Sequence, residues 1–419
     1  MARVRDIVRE AAVVPVAPDA AVTVPIGAAC GSLADAASEC SEERQGRPHQ
    51  RELTRDIVMA LERPPQLAPT RGNHGASCSA LVVVPTGGGK THVALSAAQV
   101  LQRKAGLRVG WCAARRELLR QAEAENERFG FGVEMRMISL FDRRAPQCDL
   151  LIMDEAHHDA CVTAANLQAH VRARYVVGLT ATPWRTDRAR LSYSHVLRRC
   201  SIQSLQDDGF LSRYVHVSIE SWKPELVART WLESPDRFGR SVMFFRTQKE
   251  AARCLDTLRA GGAAADLVTG DSDRESQIAD FAAGELDVLV AMGCLCEGFS
   301  DPGLATVFVR PASKGPTVQM AGRVFRTHPD IPLKTIVQSR DTPVPFTRIA
   351  RPVEQHMIDA GQWRALGATR KLDDLVHRMR QIAAQSQAVL PTRLAVPKRD
   401  RFPFVHPRRR GPSDPLIQE

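Results

Sequence analysis

No stretch of this sequence is long and apolar enough to cross a bilayer; its longest apolar runs span only four to six residues. It has no Cys-x-x-Cys pair, so its 10 cysteines read as reduced thiols of a cytoplasmic protein rather than as a zinc site. Cys294 and Cys296 stand two apart at an apparent strand end but lack the second pair that a metal would require. The opening residues lack the basic-then-apolar order and small-residue cleavage site of a secretory signal. Residues 1–45, rich in Ala, Val and Pro, therefore read as a poorly ordered extension. No repeat of solenoid period occurs. What remains is a globular composition, 44% apolar and 25% charged, over 419 residues, with room for two or three domains. A net charge of +10 favours a polyanionic partner, although an arginine excess also serves plain solvation.

The stretch from Leu81 to Thr91 organises the rest. An apolar strand runs into Pro85 and Thr86, then Gly87, Gly88, Gly89, Lys90 and Thr91. Glycines without side chains let backbone N–H groups approach phosphate oxygens, and the helix expected from His92 to Gln102 turns its positive end toward them. Lys90 is placed to reach the β- and γ-phosphates of a nucleotide, and the Thr91 hydroxyl to ligate its Mg²⁺. Val84 stands where the strict pattern has its first glycine.

Upstream, Leu53, Ile57, Val58 and Leu61 recur at helical spacing behind Arg47-Pro-His-Gln50. Gln50 can both accept from and donate to an adenine edge; taken alone it also reads as a surface residue. Downstream, strands over 107–113, 148–153 and 175–179 alternate with helices, the order of a doubly wound sheet whose ligands bind beyond the carboxyl ends of the strands. Arg115 and Arg116 fall on that edge, suited either to phosphate or to a solvated helix start. Asp154 and Glu155 reach it from the third strand, Asp154 suited to hold Mg²⁺ through water and Glu155 to polarise the attacking water. Thr180 and Thr182 follow the fourth strand.

A second alternation, with strands over 214–219, 241–245, 286–291 and 305–309, has no phosphate loop. It ends in Gln319 to Arg326, where helical spacing puts Gln319, Arg323 and, a little round, Arg326 on one face, with Gly322 permitting close approach. Arginines supplied by a second domain suit a transferring phosphoryl group. Beyond Asp330 the alternation is lost. Residues 342–348 read as an extended loop, 373–388 as a short amphipathic helix, and 398–410 as a basic, disordered tail.

These residues, in this order, resemble the superfamily 2 DEAD/DEAH-box helicases and translocases. The group nearest in pattern holds the excision-repair helicases, the motor subunits of type I and III restriction enzymes and small phage DNA helicases. The resemblance runs from about Arg47 to Pro352: Gln50 as the adenine-side motif, Pro85–Thr91 as motif I, Ala113–Ala122 as Ia and Asp154–His157 as II. Thr180–Thr182 is similar to motif III, Met243–Thr247 to IV, Cys294–Ser300 to V and Gln319–Arg326 to VI. It implies an α/β protein of two tandem RecA-like doubly wound parallel-sheet domains, over residues 46–211 and 212–352, with ATP and Mg²⁺ in the cleft between them and a C-terminal extension from 353. It implies catalytic work for Lys90, Glu155, Gln319, Arg323 and Arg326, and coupling through His157, Thr180, Thr182, Glu297 and Gly298. Nucleic acid, DNA favoured over RNA, would lie against Arg115, Arg246, Thr247 and Cys296. Two positions depart from the family: Cys296 replaces a backbone-touching threonine of motif V, and Ser300 replaces an aspartate that couples this contact to nucleotide.

Overall fold

The computed structural model describes residues 46–62, 78–158, 162–183, 191, 193–292, 295, 299, 301–359 and 361–366. The expected N-terminal extension, Cys294, Cys296, Glu297, Gly298, Ser300, the helix over 373–388 and the basic tail lie outside these residues.

The first half begins with α1 (Pro48–Glu62), whose Leu53, Ile57, Val58 and Leu61 are buried as the periodicity expects. It continues through β1 (Cys78–Val83), α2 (Lys90–Ala105), β2 (Val109–Ala113), α3 (Arg116–Arg128), β3 (Met135–Ser139), β4 (Leu150–Met153), α4 (Val162–Val171), β5 (Tyr175–Thr180) and β6 (His195–Leu197). These six strands form one parallel sheet in the order β3-β2-β4-β5-β1-β6. The inner strands β1, β2, β4 and β5 are buried at every residue, because helices cover both faces of a parallel sheet and leave no wet side for polar alternation. The flanking strands β3 and β6 were not legible in the sequence, since both are short and mostly half-buried.

A short helix, α5 (Ile202–Asp207), leads to the second half. There β7 (Arg213–Ile219), α6 (Pro224–Leu232), α7 (Pro235–Phe238), β8 (Ser241–Phe244), α8 (Gln248–Ala260), β9 (Ala265–Val268), α9 (Arg274–Ala283), β10 (Val288–Ala291), β11 (Thr306–Phe308), α10 (Lys314–Gly322), β12 (Leu333–Ser339), β13 (Glu354–Asp359) and β14 (Gln362–Ala365) follow. Their sheet runs β14-β13-β7-β12-β11-β8-β10-β9, parallel except for the β13–β14 hairpin. Strand structure thus continues past Asp330, where the sequence loses its alternation. β12 pairs with β7 and β11, and β13 pairs with β7, so the stretch from 353 opens with two strands of this sheet. The expected loop at 342–348 contains a 3₁₀ turn over Phe346–Arg348.

The described cysteines 78, 112, 148, 200 and 254 are buried and form no disulfide among the described residues. Among the described residues no helix is long and apolar enough to cross a membrane.

Candidate active site between the two sheets

The phosphate loop takes its shape from β1 and from its glycines. Gly89 caps α2 with φ 86°, and a Cβ there would run into the side-chain amide of Gln50. Left-handed backbone and missing space both demand glycine. Gln50 is seated on the loop itself: its Nε2 donates to the Gly88 carbonyl at 3.4 Å, and its Oε1 accepts from the Arg47 backbone N–H at 2.9 Å. The His49 Nε2 donates to the same Gly88 carbonyl at 2.9 Å, a contact that sequence reasoning missed because a histidine beside Gln50 carries no pattern.

Lys90 stands at the first position of α2, and its Nζ lies 2.6 Å from Oε1 of Glu155. Glu155 arrives from the end of β4 with φ 49°, a left-handed conformation that costs a non-glycine residue on the order of 1 kcal/mol or more. Its second oxygen lies 3.3 Å from His157 Nδ1. His157 Nδ1 is also 3.4 Å from Thr180 Oγ1, while its Nε2 meets Gln319 Nε2 at 3.0 Å. Because the Gln319 amide nitrogen can only donate, the His157 Nε2 accepts and Nδ1 carries the proton toward Glu155. Thr180 is locked in turn by Thr182: its hydroxyl donates to the Thr182 carbonyl and accepts from the Thr182 N–H, both at 3.0 Å. A continuous polar chain therefore runs Lys90–Glu155–His157–Gln319, starting on the first sheet and ending on the second.

Charge follows geometry here. Burial, and then the Glu155 carboxylate next to it, raise Asp154 above the usual carboxylate range, with Lys90 opposing. Burial would raise Glu155 as well, but Lys90 and His157 overcome it and hold Glu155 ionised. A desolvated Asp154 crowded by a second negative charge is a donor that suits a hard dication.

The second sheet brings its arginines to this edge. Gly322 packs on Thr86, where a Cβ would meet the Thr86 Cβ and Oγ1 at 3.0 Å. Arg323 is buried and its Nη1 donates to the Phe299 carbonyl at 2.9 Å. Arg326 does not share the helical face expected for it. Helix α10 ends at Gly322, a 3₁₀ turn covers Arg323–Phe325, and Arg326 has extended backbone. Tertiary contacts draw the chain away: the Phe325 ring packs against Tyr214 and Phe346, and Ser212 donates through its N–H to the Phe325 carbonyl and through Oγ to the Arg326 carbonyl. Arg326 instead feels Glu125 of α3; burial lowers the arginine's pKa and raises that of Glu125. Glu125 is a second residue that sequence reasoning missed, being one carboxylate among many on a polar helix.

Of the positions expected to meet nucleic acid, Arg115 is the N-cap residue of α3 beyond the carboxyl end of β2. Arg246 is exposed beyond the end of β8. Thr247 is the N-cap of α8: its hydroxyl accepts from the Glu250 N–H at 3.3 Å, and the Glu250 carboxylate accepts from the Thr247 N–H at 3.0 Å. That capping box alone accounts for a Thr at this position.

Residues 43–145 match the family model described as "Type III restriction enzyme, res subunit", a span that includes α1, the phosphate loop and the Arg115 turn. The match lies within the first of the two parallel sheets and the helices around it. Among solved structures, the chain is similar to S. cerevisiae Dbp5 bound to RNA and ADP BeF3, at 16% identity over 71% of this chain and 88% of that one, with a TM-score of 0.48. A single-substitution variant of Dbp5 with the same ligands matches at 15% identity, 71% and 88% coverage and a TM-score of 0.47. No curated protein matches the chain.

Proposed function

We propose that this protein is an ATP-dependent helicase or translocase that couples ATP hydrolysis to movement along, or unwinding of, DNA. The observation that carries the reading is the chain Lys90–Glu155–His157–Gln319, which ties the phosphate loop on one sheet to the motif VI helix on the other. DNA is favoured over RNA through the resemblance to restriction-enzyme motor subunits, and the net charge of +10 suits either polymer. The lobes are taken as residues 46–211 and 212–352.

Bound ATP with its Mg²⁺ supplies the scissile phosphoanhydride and the charge neutralisation that its cleavage needs. Pro85 to Gly89 line the loop that holds the phosphates, with Gln50 bracing it on the adenine side, and Lys90 exchanges its Glu155 partner for phosphate oxygen. Glu155, ionised and released from Lys90, orients the attacking water and accepts its proton. Thr91 and Asp154 would hold the metal. Arg323 and Arg326, brought up with the second lobe, offset charge that builds only as the bond breaks. His157, touching Glu155, Thr180 and Gln319 together, senses whether the lobes are closed, and Glu297 and Gly298 join this coupling. Arg115, Arg246, Thr247 and Cys296 form the nucleic-acid side. Contacts of that kind grip backbone and carry no base code.

The test pairs turnover with motion. Lys90→Ala and Glu155→Gln each abolish ATP hydrolysis, while Glu155→Gln still binds ATP. More than a few per cent residual turnover in either variant rejects the site. Strand displacement is then followed on DNA and RNA duplexes with opposite overhangs, with and without ATP. Displacement on DNA alone supports the full reading. ATP-dependent binding without displacement supports the alternative that Ser300 raises, an ATP-gated DNA-binding subunit that clamps without unwinding.

A further inference from the structure

The outer strand of the first sheet ends in an aromatic side chain that the fold leaves in water. Beyond Ser139, the last residue of β3, Leu140 turns into the core while Phe141 is 66% exposed. A phenylalanine standing singly on a surface is common, but this one is held out by a built turn. Its backbone N–H donates to Ser139 Oγ at 3.3 Å, the Asp142 N–H donates to the Ser139 carbonyl at 2.9 Å, and Ala145 is buried behind them. The Asp142 carboxylate turns back to accept from the Arg144 N–H at 2.8 Å. Arg143 and Arg144 are both exposed.

Placement gives the ring its meaning. β3 pairs in parallel with β2, Ser139 opposite Ala113, and the Leu140 N–H donates to the Ala113 carbonyl at 3.0 Å. Phe141 and Arg115 therefore each stand two residues past paired positions on neighbouring strands, with the exposed Arg116 next along. β4, which delivers Asp154 and Glu155, lies on the other side of β2. The order along this edge is carboxylates, then arginines, then phenylalanine, and two strand spacings put Phe141 about 10 Å from the end of β4. That is beside the nucleotide site rather than in it.

We infer that Phe141 is a stacking platform for an unpaired base, with Arg143, Arg144 and the Arg115–Arg116 turn taking the neighbouring phosphates. The inference rests on the proposed reading of the chain as a nucleic-acid motor, and it names the substrate on this lobe as a single strand. A base in a duplex has both faces covered by its neighbours and cannot reach the ring. Every unpaired base offers a π face, so the contact is indifferent to sequence.

The test titrates the full chain, by fluorescence anisotropy, with a labelled thymidine oligonucleotide and with a strand of the same length whose sugars carry no bases. Wild type is expected to bind the thymidine strand more tightly. Phe141→Ala weakens that binding by about five- to a hundredfold, leaves affinity for the abasic strand unchanged and keeps the log–log salt slope, because stacking releases no counterions. Phe141→Trp restores the thymidine affinity. Arg143→Ala and Arg144→Ala instead weaken both strands alike, each removing ~0.7 from the slope. Phe141→Ala that weakens both strands equally, or neither, overturns the inference, as does a wild type that binds the two strands equally well; the nucleic-acid reading survives each of these results. Wild type that binds a duplex of the same length but neither single strand also overturns the inference alone. Wild type that binds none of the three removes the nucleic-acid reading and the inference with it.

Discussion

At the scale of single residues, Gly322 and Lys334 separate stability from function. Gly322 is the last residue of α10 and has helical backbone, so alanine there favours the helix by up to about 1 kcal/mol. The added methyl also meets Thr86 of the phosphate loop at 3.0 Å, close enough that one of the two must shift. Gly322→Ala is therefore expected to keep or raise the thermal midpoint while lowering kcat about tenfold or more, through displacement of Arg323 next to it. A lowered midpoint with unchanged kcat would contradict the packing described here. Lys334 works in the opposite sense: burial, with Arg240 nearby, lowers its pKa to about 8, and Asp301 offsets part of that. A lysine with a folded pKa below its unfolded value holds fewer protons when folded. Its contribution to stability therefore rises with pH between about 8 and 10.5. Urea unfolding of wild type and Lys334→Met across that range should show the difference between them shifting toward wild type as pH rises.

At the scale of elements, the sheets meet through α3 and α9 as well as through the nucleotide site. Arg120 of α3 lies 2.7 Å from Glu275 of α9, and Glu117 of α3 lies 3.1 Å from Arg274 of α9. The signs cross, so each helix offers one cation and one anion. The Arg120–Glu275 pair is largely exposed, and pairs of this kind contribute roughly 0.2–1 kcal/mol each, weakened by salt. Reversing Glu117 to Arg puts like charges face to face and is expected to widen the α3–α9 separation, read by fluorescence transfer between labels on the two helices. Adding Arg274→Glu to it restores the pair and the separation, and a separation unmoved by either change would show that the pairs hold nothing. The same scale explains Arg326. Spacing along a continued helix puts it beside Arg323, but the pull of Ser212 and the burial of Phe325 end α10 before it. Helical periodicity describes positions on a helix and says nothing about where tertiary contacts stop one.

At the scale of the whole molecule, the proposed function has hydrolysis at the phosphate loop beside one sheet felt at the other through the contacts of His157. The polar chain through His157 is the physical link. In that reading, affinity for nucleic acid comes from elsewhere, chiefly from phosphate contacts and counterion release. Deleting residues 391–419, which hold the basic run at 398–410, is expected to weaken binding about equally for all sequences, each lost phosphate contact removing ~0.7 from the log–log salt slope on single strands. Unstimulated ATP hydrolysis should stay near its starting rate. A slope that does not change would make those arginines a merely solvated end.

Much of this site is legible in the sequence because its parts are local. Three glycines, a lysine and a threonine make a phosphate loop in any chain that places them between a buried strand and a helix. Asp154 and Glu155 inherit their place from the apolar strand before them. The short outer strands β3, β6 and β9 are not legible, nor are β12 and β13, since their pairing is set by neighbours far along the chain rather than by their own pattern. Only the tertiary structure decides that His157 bridges Glu155 and Gln319, that Gln50 and His49 share the Gly88 carbonyl, and that Lys334 holds the carbonyls of Pro302 and Leu304. Those contacts join residues that are remote in sequence, and a side chain's chemistry does not say which distant backbone carbonyl it will meet.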